Sequence, residues 1–169
     1  MAVGDRIKRV RQFRKMTMKE LGMAVGFSES TADVRIAQYE NNSREPKEEL
    51  LKKIARALDV NWYSLRDPAD YTDDDLLFAF FDWEEQRAGV NLQRIMDESD
   101  PVHVEERVAV TFGYSMLNSF MMEWFERKQQ VLRGEITWDE YREWKLNWPY
   151  TSDVMRKYVP YREWRKIEE

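Results

Sequence analysis

The stretch Thr17–Glu40, TMKELGMAVGFSESTADVRIAQYE, restricts the possible folds of this 169-residue chain more than any other. Thr17 followed three residues later by Glu20 has capping-box spacing and predicts a helix start. Leu21, Ala24 and Val25 follow at helical intervals, and Gly26 stands where a left-handed C-cap would end the helix. Phe27 fills the turn. Ser28 or Ser30 is then the candidate cap of a second helix, whose Ala32, Ile36 and Tyr39 share one face. With that face packed on the first helix, Thr31, Val34, Arg35 and Gln38 point outward. A helix, a glycine turn and a helix with a polar outer face together present a recognition helix to the DNA major groove.

The flanks extend the pattern. Ile7, Val10 and Arg11 precede it, and Pro46, Leu50, Leu51, Ile54, Ala55, Leu58, Val60 and Leu65 follow it at the spacing of further helices. With Thr17, Lys19-Glu20-Leu21, Gly26, Ser28, Ile36 and Tyr39-Glu40-Asn41, these residues make the stretch from Val3 to Leu65 resemble the Cro and phage-repressor (Xre-type) DNA-binding domain. That resemblance implies a five-helix, lambda-repressor-like fold. It also implies an ion pair between Arg11 and Glu40, holding the first helix to the end of the recognition helix. Phosphate contacts are implied near the loop at 41–45, where Arg44 and Lys47 are candidates alongside Ser28 and Lys19 or Arg6. Met18 stands where the family often has a phosphate-binding glutamine. Ser28 and Ile36 lie about four residues farther apart than is usual in the family, roughly one helical turn. The recognition helix therefore either starts early or follows a longer turn.

Charge divides along the chain. Residues 1–66 carry 14 Lys and Arg against 9 Asp and Glu, whereas the remainder carries 13 against 23. A basic N-terminal part suits a phosphate partner, and an acidic remainder should face away from it. A hydrophobic fraction of 43%, with seven Trp, eight Tyr and eight Phe, suffices for a packed core. With no Cys, disulfides and thiolate metal sites are excluded. The start MAVGDRIKRV lacks an apolar signal region, and no run reaches the length of a membrane span. A cytoplasmic protein is expected. Six glycines, no phosphate-cradling loop and no nucleophile elbow argue against an enzyme, and no cofactor or metal is expected. His103 is the single histidine and reads as structural.

Within the first 66 residues, helix 1 is expected from about Asp5 to Lys15. The loop Asn41–Glu45 turns without glycine, because asparagine tolerates left-handed backbone. Pro46 suits the first turn of the next helix, whose buried stripe is Leu50, Leu51, Ile54, Ala57 and Leu58. Asn61 caps a short fifth helix, and Trp62 and Tyr63 are candidate seats for a second domain.

Asp67-Pro68 marks the boundary, since proline biases its predecessor away from helix. Residues 67–75 read as a linker and 76–169 as a mainly helical, aromatic-rich oligomerisation or interaction domain. Thr72 is a cap candidate, with Asp73, Asp74 and Asp75 favourable at the positive end of a helix. Over about 90–112 the alternation Val90/Leu92, then Val102/Val104 with Val108/Val110/Phe112, predicts a small β-hairpin turning at Asp97–Pro101, with a helix over 103–112 as the alternative. A long helix from about Tyr114 to Arg133 presents Leu117, Phe120, Met121, Trp124 and Val131 on one face, and Gly134 terminates it. Thr137 caps a further helix over 138–147, carrying Trp138, Tyr141 and Trp144. The stretches from Gly134 to Trp144 and Asn147-Trp-Pro also resemble the C-terminal parts of uncharacterised Xre-type proteins of bacterial mobile elements.

The reading is a mainly α chain that binds double-stranded DNA as a homodimer through its C-terminal part and regulates transcription, as a repressor or an activator. The alternative is a protein-interaction or inhibitor module whose helix-turn-helix serves autoregulation or protein binding.

Overall fold

A computed structural model describes residues 2–66, 73–86, 89–97, 105–113, 115–154 and 160–165. The chain is mainly helical, with one two-stranded antiparallel sheet among the described residues. It divides into two compact units. The first comprises Met1–Asp70, Trp138–Thr151 and Tyr161–Glu169, and the second comprises Tyr71–Thr137 and Ser152–Pro160.

In the first unit, α1 (Val3–Phe13), α2 (Met18–Ala24), α3 (Ala32–Glu40) and α4 (Glu48–Ala57) precede a single 3-10 turn at Trp62–Ser64. That turn takes the place of the expected fifth helix, and Asn61 caps it by accepting from Tyr63 N at 3.1 Å. Ile7, Leu21, Ile36, Ile54, Leu58 and Leu65 are fully buried together. Each such side chain stabilises the fold by roughly 1.5–3 kcal/mol through apolar burial. Ala24, expected on the inner face of α2, is exposed. Pro46 is buried but lies ahead of α4, whose N-cap is Lys47. It is therefore not part of that helix's first turn.

Among the described residues, Lys15 (φ 57°), Asn42 (φ 58°) and Asp59 (φ 54°) take left-handed backbone without being glycine. Asn42 turns the loop after α3, as the Asn-Asn pair suggests, and its Oδ1 accepts from Gly4 N at 3.0 Å. Two glycines permit close helix approach. A Cβ on Gly22 would lie 2.5 Å from the Ala32 carbonyl oxygen, and one on Gly4 would lie 2.0 Å from that of Tyr39.

The sequence grouped 76–169 together, but α7 (Trp138–Leu146) belongs to the same unit as residues 2–66. Leu146 enters the core of α1–α4. Its carbonyl accepts from Asn61 N at 3.0 Å, and the Trp148 carbonyl accepts from Asn61 Nδ2 at 2.9 Å. The docking point is therefore Asn61, while the neighbouring Tyr63 ring stays exposed. Arg14 donates to both Glu143 carboxylate oxygens, at 2.6 and 3.0 Å, and to the carbonyls of Leu58 and Asp59 at 2.8 Å each. Arg162 joins Asp59 (2.9 and 2.5 Å) to Glu143 (3.0 Å). The Arg162 bond holds the Asp59 carboxyl below its ordinary range.

The second unit contains α5 (Asp73–Gln86), β1 (Val90–Asp97), β2 (Glu105–Phe112) and α6 (Ser115–Leu132). β1 and β2 pair antiparallel, with Val90 opposite Phe112 and Asp97 opposite Glu105. The hairpin reading of 90–112 holds, and the helical alternative for 103–112 does not. Cross-strand pairs Arg94–Glu106 (3.0 Å) and Arg107–Asp97 (2.8 Å) pin its register. Gly134 closes α6 at φ 72°, with Glu135 N donating to the Gln130 carbonyl and Gly134 N to that of Val131. Of the apolar stripe expected on α6, Leu117, Phe120 and Val131 are half-buried, but the most buried positions of the helix are polar. Glu123 and Arg127 are buried, while Met121, Trp124 and Phe125 are exposed. Glu123 accepts from Ser152 Oγ (2.6 Å) and Asp153 N (2.8 Å), and Arg127 pairs with Asp153. This polar partnership outweighs the apolar periodicity. Of the expected linker 67–75, Asp73–Asp75 form the first turn of α5, while residues 67–72, the turn at 98–104 with His103, and Tyr114 lie outside the described residues.

Candidate nucleic-acid interface

α2 starts where the capping box places it. Glu20 N donates to Thr17 Oγ1 at 3.1 Å, and Thr17 N donates to Glu20 Oε2 at 2.7 Å. That bond from Thr17 N lowers the Glu20 pKa. At the other end, Gly26 takes φ 95°, Phe27 N donates to the Gly22 carbonyl and Gly26 N to that of Met23. This pair of bonds is the Schellman closure, and it satisfies two carbonyls that the helix leaves open.

The connection to α3 is the longer of the two forms the sequence allowed. Residues 25–31 separate the helices, and α3 begins at Ala32 with Thr31 at the N-cap position. Neither Ser28 nor Ser30 caps it. Thr31 N instead donates to the Ser28 carbonyl at 3.0 Å, and the hydroxyls of Ser28 and Thr31 lie 2.8 Å apart. These short polar side chains satisfy one another within the turn, so none serves as the helix cap.

Ala32 and Ile36 are fully buried and Tyr39 nearly so, which fixes the rotation of α3. Thr31, Val34 and Arg35 are exposed and Gln38 is half-buried. By the roughly 100° step of a helix these four lie on the side away from Ile36. The Arg35 guanidinium sits 5.0 Å from the centroid of the Phe27 ring, a cation–π placement that restricts its freedom. Phe27 in turn stacks on Tyr39, at 6.5 Å between centroids.

Arg11 and Glu40 form a bidentate pair. Arg11 Nε donates to Glu40 Oε1 at 2.6 Å, Nη2 to Oε2 at 2.8 Å, and Nη1 to the Met16 carbonyl at 2.7 Å. Both residues are 7% exposed, and the Glu40 bond raises the Arg11 pKa. α1 is thereby fixed to the C-terminal end of α3.

The phosphate candidates occupy different environments. Arg44 and Lys47 are exposed in and after the loop that follows α3. That loop is shaped by Arg44 N and Ser43 Oγ, both donating to the Gln38 carbonyl at 3.1 Å. Lys19 is instead paired with Glu29 of the long turn at 2.7 Å, which raises the lysine pKa and lowers that of the glutamate. The Lys19–Glu29 pair, Gly22 at the α2–α3 crossing and the Asn42 bond to Gly4 were not read from the sequence. Each depends on a tertiary approach for which spacing gives no signal.

Comparison with known proteins gives one family. Residues 7–65 match the helix-turn-helix family, a family of DNA-binding regulators, and the match ends at Leu65. No curated protein matches the chain.

Proposed function

We propose that this chain is a sequence-specific DNA-binding regulator of transcription, of bacterial, phage or mobile-element origin, acting in the cytoplasm as a homodimer. The observation that carries the reading is α3 itself. Its inner face is buried through Ala32, Ile36 and Tyr39, while Thr31, Val34, Arg35 and Gln38 form an outward row. Arginine reads guanine O6 and N7 in a bidentate way, glutamine reads adenine N6 and N7, and valine or threonine meets a thymine methyl. Arg44 and Lys47 supply phosphate contacts that position the helix without reading sequence. Among the described residues no helix is long and apolar enough to cross a membrane.

The test is a binding series on the site selected by the protein from genomic fragments. Arg35→Ala and Gln38→Ala each cost about 1–3 kcal/mol and relax preference at one base position. Arg44→Ala or Lys47→Ala weakens all sequences alike and flattens the salt dependence. If Arg35→Ala binds as tightly and selectively as wild type, this face does not read DNA, and the protein-interaction reading replaces it.

The second unit supports the dimer. Phe78 of α5, Leu92 of β1 and Leu132 of α6 are 67–73% exposed, and Phe125 is 55% exposed. Apolar side chains presented this way suit burial against a second copy, and a two-fold dimer would read half-sites about one DNA turn apart. Sedimentation should find a dimer at high micromolar concentration. A monomer both with and without DNA would overturn this part of the reading.

A further inference from the structure

Where α7 lies beside α1 and the 3-10 turn, a recess of about 210 Å³ opens, lined by Arg9, Val10, Ser64, Arg142, Lys145 and Leu146. Three of its six lining residues are cations. No carboxylate pairs with Arg9 or Lys145 among the described residues, and Arg142 has Asp139 at 3.7 Å with both partners exposed. Two of the three heads lie over aromatic rings. Arg142 lies 4.9 Å from the Phe13 ring centroid and Lys145 lies 4.4 Å from that of Tyr141. The hydroxyl of Ser64 donates to the Asn61 carbonyl at 2.7 Å, so the serine contributes wall and not a donor. Val10 and Leu146 supply apolar surface from the core.

Arg9, Arg142 and Lys145 are each exposed as residues, but like charges gathered around one recess repel one another unless something neutralises them. Desolvation, followed by Arg9 and Arg142, lowers the Lys145 pKa. The Arg9 pKa is lowered by desolvation and then by Arg6 and Arg142. Elsewhere in the same unit arginines meet carboxylates, as Arg11 meets Glu40 and Arg14 meets Glu143. Here Arg9 and Lys145 meet none among the described residues, and Arg142 meets only the exposed Asp139 at 3.7 Å.

We propose that the recess between α1 and α7 binds a small phosphate monoester, with Arg9, Arg142 and Lys145 on the phosphate and Val10 and Leu146 against its organic part. Two guanidinium forks and an ammonium suit a dianion with several acceptor oxygens better than a single carboxylate. The volume falls below that of a typical drug-sized pocket and admits only a small ligand. Nothing in this assignment requires α3 to read DNA.

The test uses the full chain, with phenyl phosphate and inorganic phosphate as probes and sodium chloride at equal ionic strength as control. Calorimetry should show saturable binding of phenyl phosphate, weaker binding of benzoate and none of benzyl alcohol. Arg9→Gln and Lys145→Gln should each weaken it about ten-fold, the loss of one charge-assisted bond. In chloride alone both variants should unfold at or above the wild-type temperature, since each relieves repulsion. With phenyl phosphate that order should reverse. An equal rise in unfolding temperature from chloride, or unchanged binding by both variants, would overturn the assignment. Displacement of bound phenyl phosphate by a duplex of arbitrary sequence would overturn it as well, making the recess a DNA-backbone contact.

Discussion

Arg11 and Glu40 lie 29 residues apart and meet with two parallel hydrogen bonds in a nearly dry setting. Removing one partner strands the other charge, at a cost of roughly 3–5 kcal/mol. Glu40→Ala should therefore lower the urea midpoint far more than Glu48→Ala. The Glu48 pair with Lys52 is exposed, and such pairs contribute little. Equal midpoint shifts would show that the Arg11–Glu40 pair contributes nothing special. The Asp59–Arg162 pair adds a pH signature. The folded pKa of Asp59 lies below its ordinary 3.8, so the stabilisation is complete above that value and is lost as pH falls through the depressed folded value. The stability gap between wild type and Asp59→Asn should shrink as pH is taken from neutral to well below 3.8, and asparagine keeps the left-handed backbone available. A constant gap would mean the carboxylate charge is not responsible. Arg11 and Glu40 were legible because a family resemblance places them. Asp59 and Arg162, separated by 103 residues, carry no such signal.

Among the elements, those set by local chemistry were the readable ones. The Thr17/Glu20 box and the glycines at 26 and 134 announce themselves, because caps are made within six residues. The start of α3 was less legible, since the three hydroxyl residues Ser28, Ser30 and Thr31 compete and their mutual bonds are settled only in the folded turn. Periodicity placed the inner face of α6 only in part, with Leu117, Phe120 and Val131 half-buried but Met121 and Trp124 exposed, because an apolar stripe says nothing about which neighbour waits. Glu123 and Arg127 found Ser152 and Asp153 instead. The α2–α3 crossing gives a further expectation. Alanine normally strengthens a helix over glycine by about 1 kcal/mol. Gly22→Ala should nonetheless destabilise the chain by about 1–3 kcal/mol, because its methyl would meet the Ala32 backbone. A denaturation midpoint at or above wild type would show that the two helices separate freely.

At the scale of the whole molecule, the boundary near Pro68 divides the sequence but does not confine the first unit, which is built from both sides of it. Composition and charge could not foretell this, because Glu143, Leu146 and Arg162 resemble any other residues of an amphipathic tail. A fragment of residues 1–66 would lose Leu146 from its core and leave Arg14 and Asp59 without their partners. Losing the buried leucine alone costs on the order of 2–5 kcal/mol, so the fragment should unfold at distinctly lower urea than the same unit in the full chain. Coincident transitions would show that α7 is only an ornament. The same threading bears on synthesis and on cleavage. All of α5, both strands and α6 must leave the ribosome before Trp138 does, so α1–α4 wait for their last partner while another body forms. A protease cut between β1 and β2 would likewise leave each fragment holding part of the first unit, and the nicked halves should travel together until denaturant parts them.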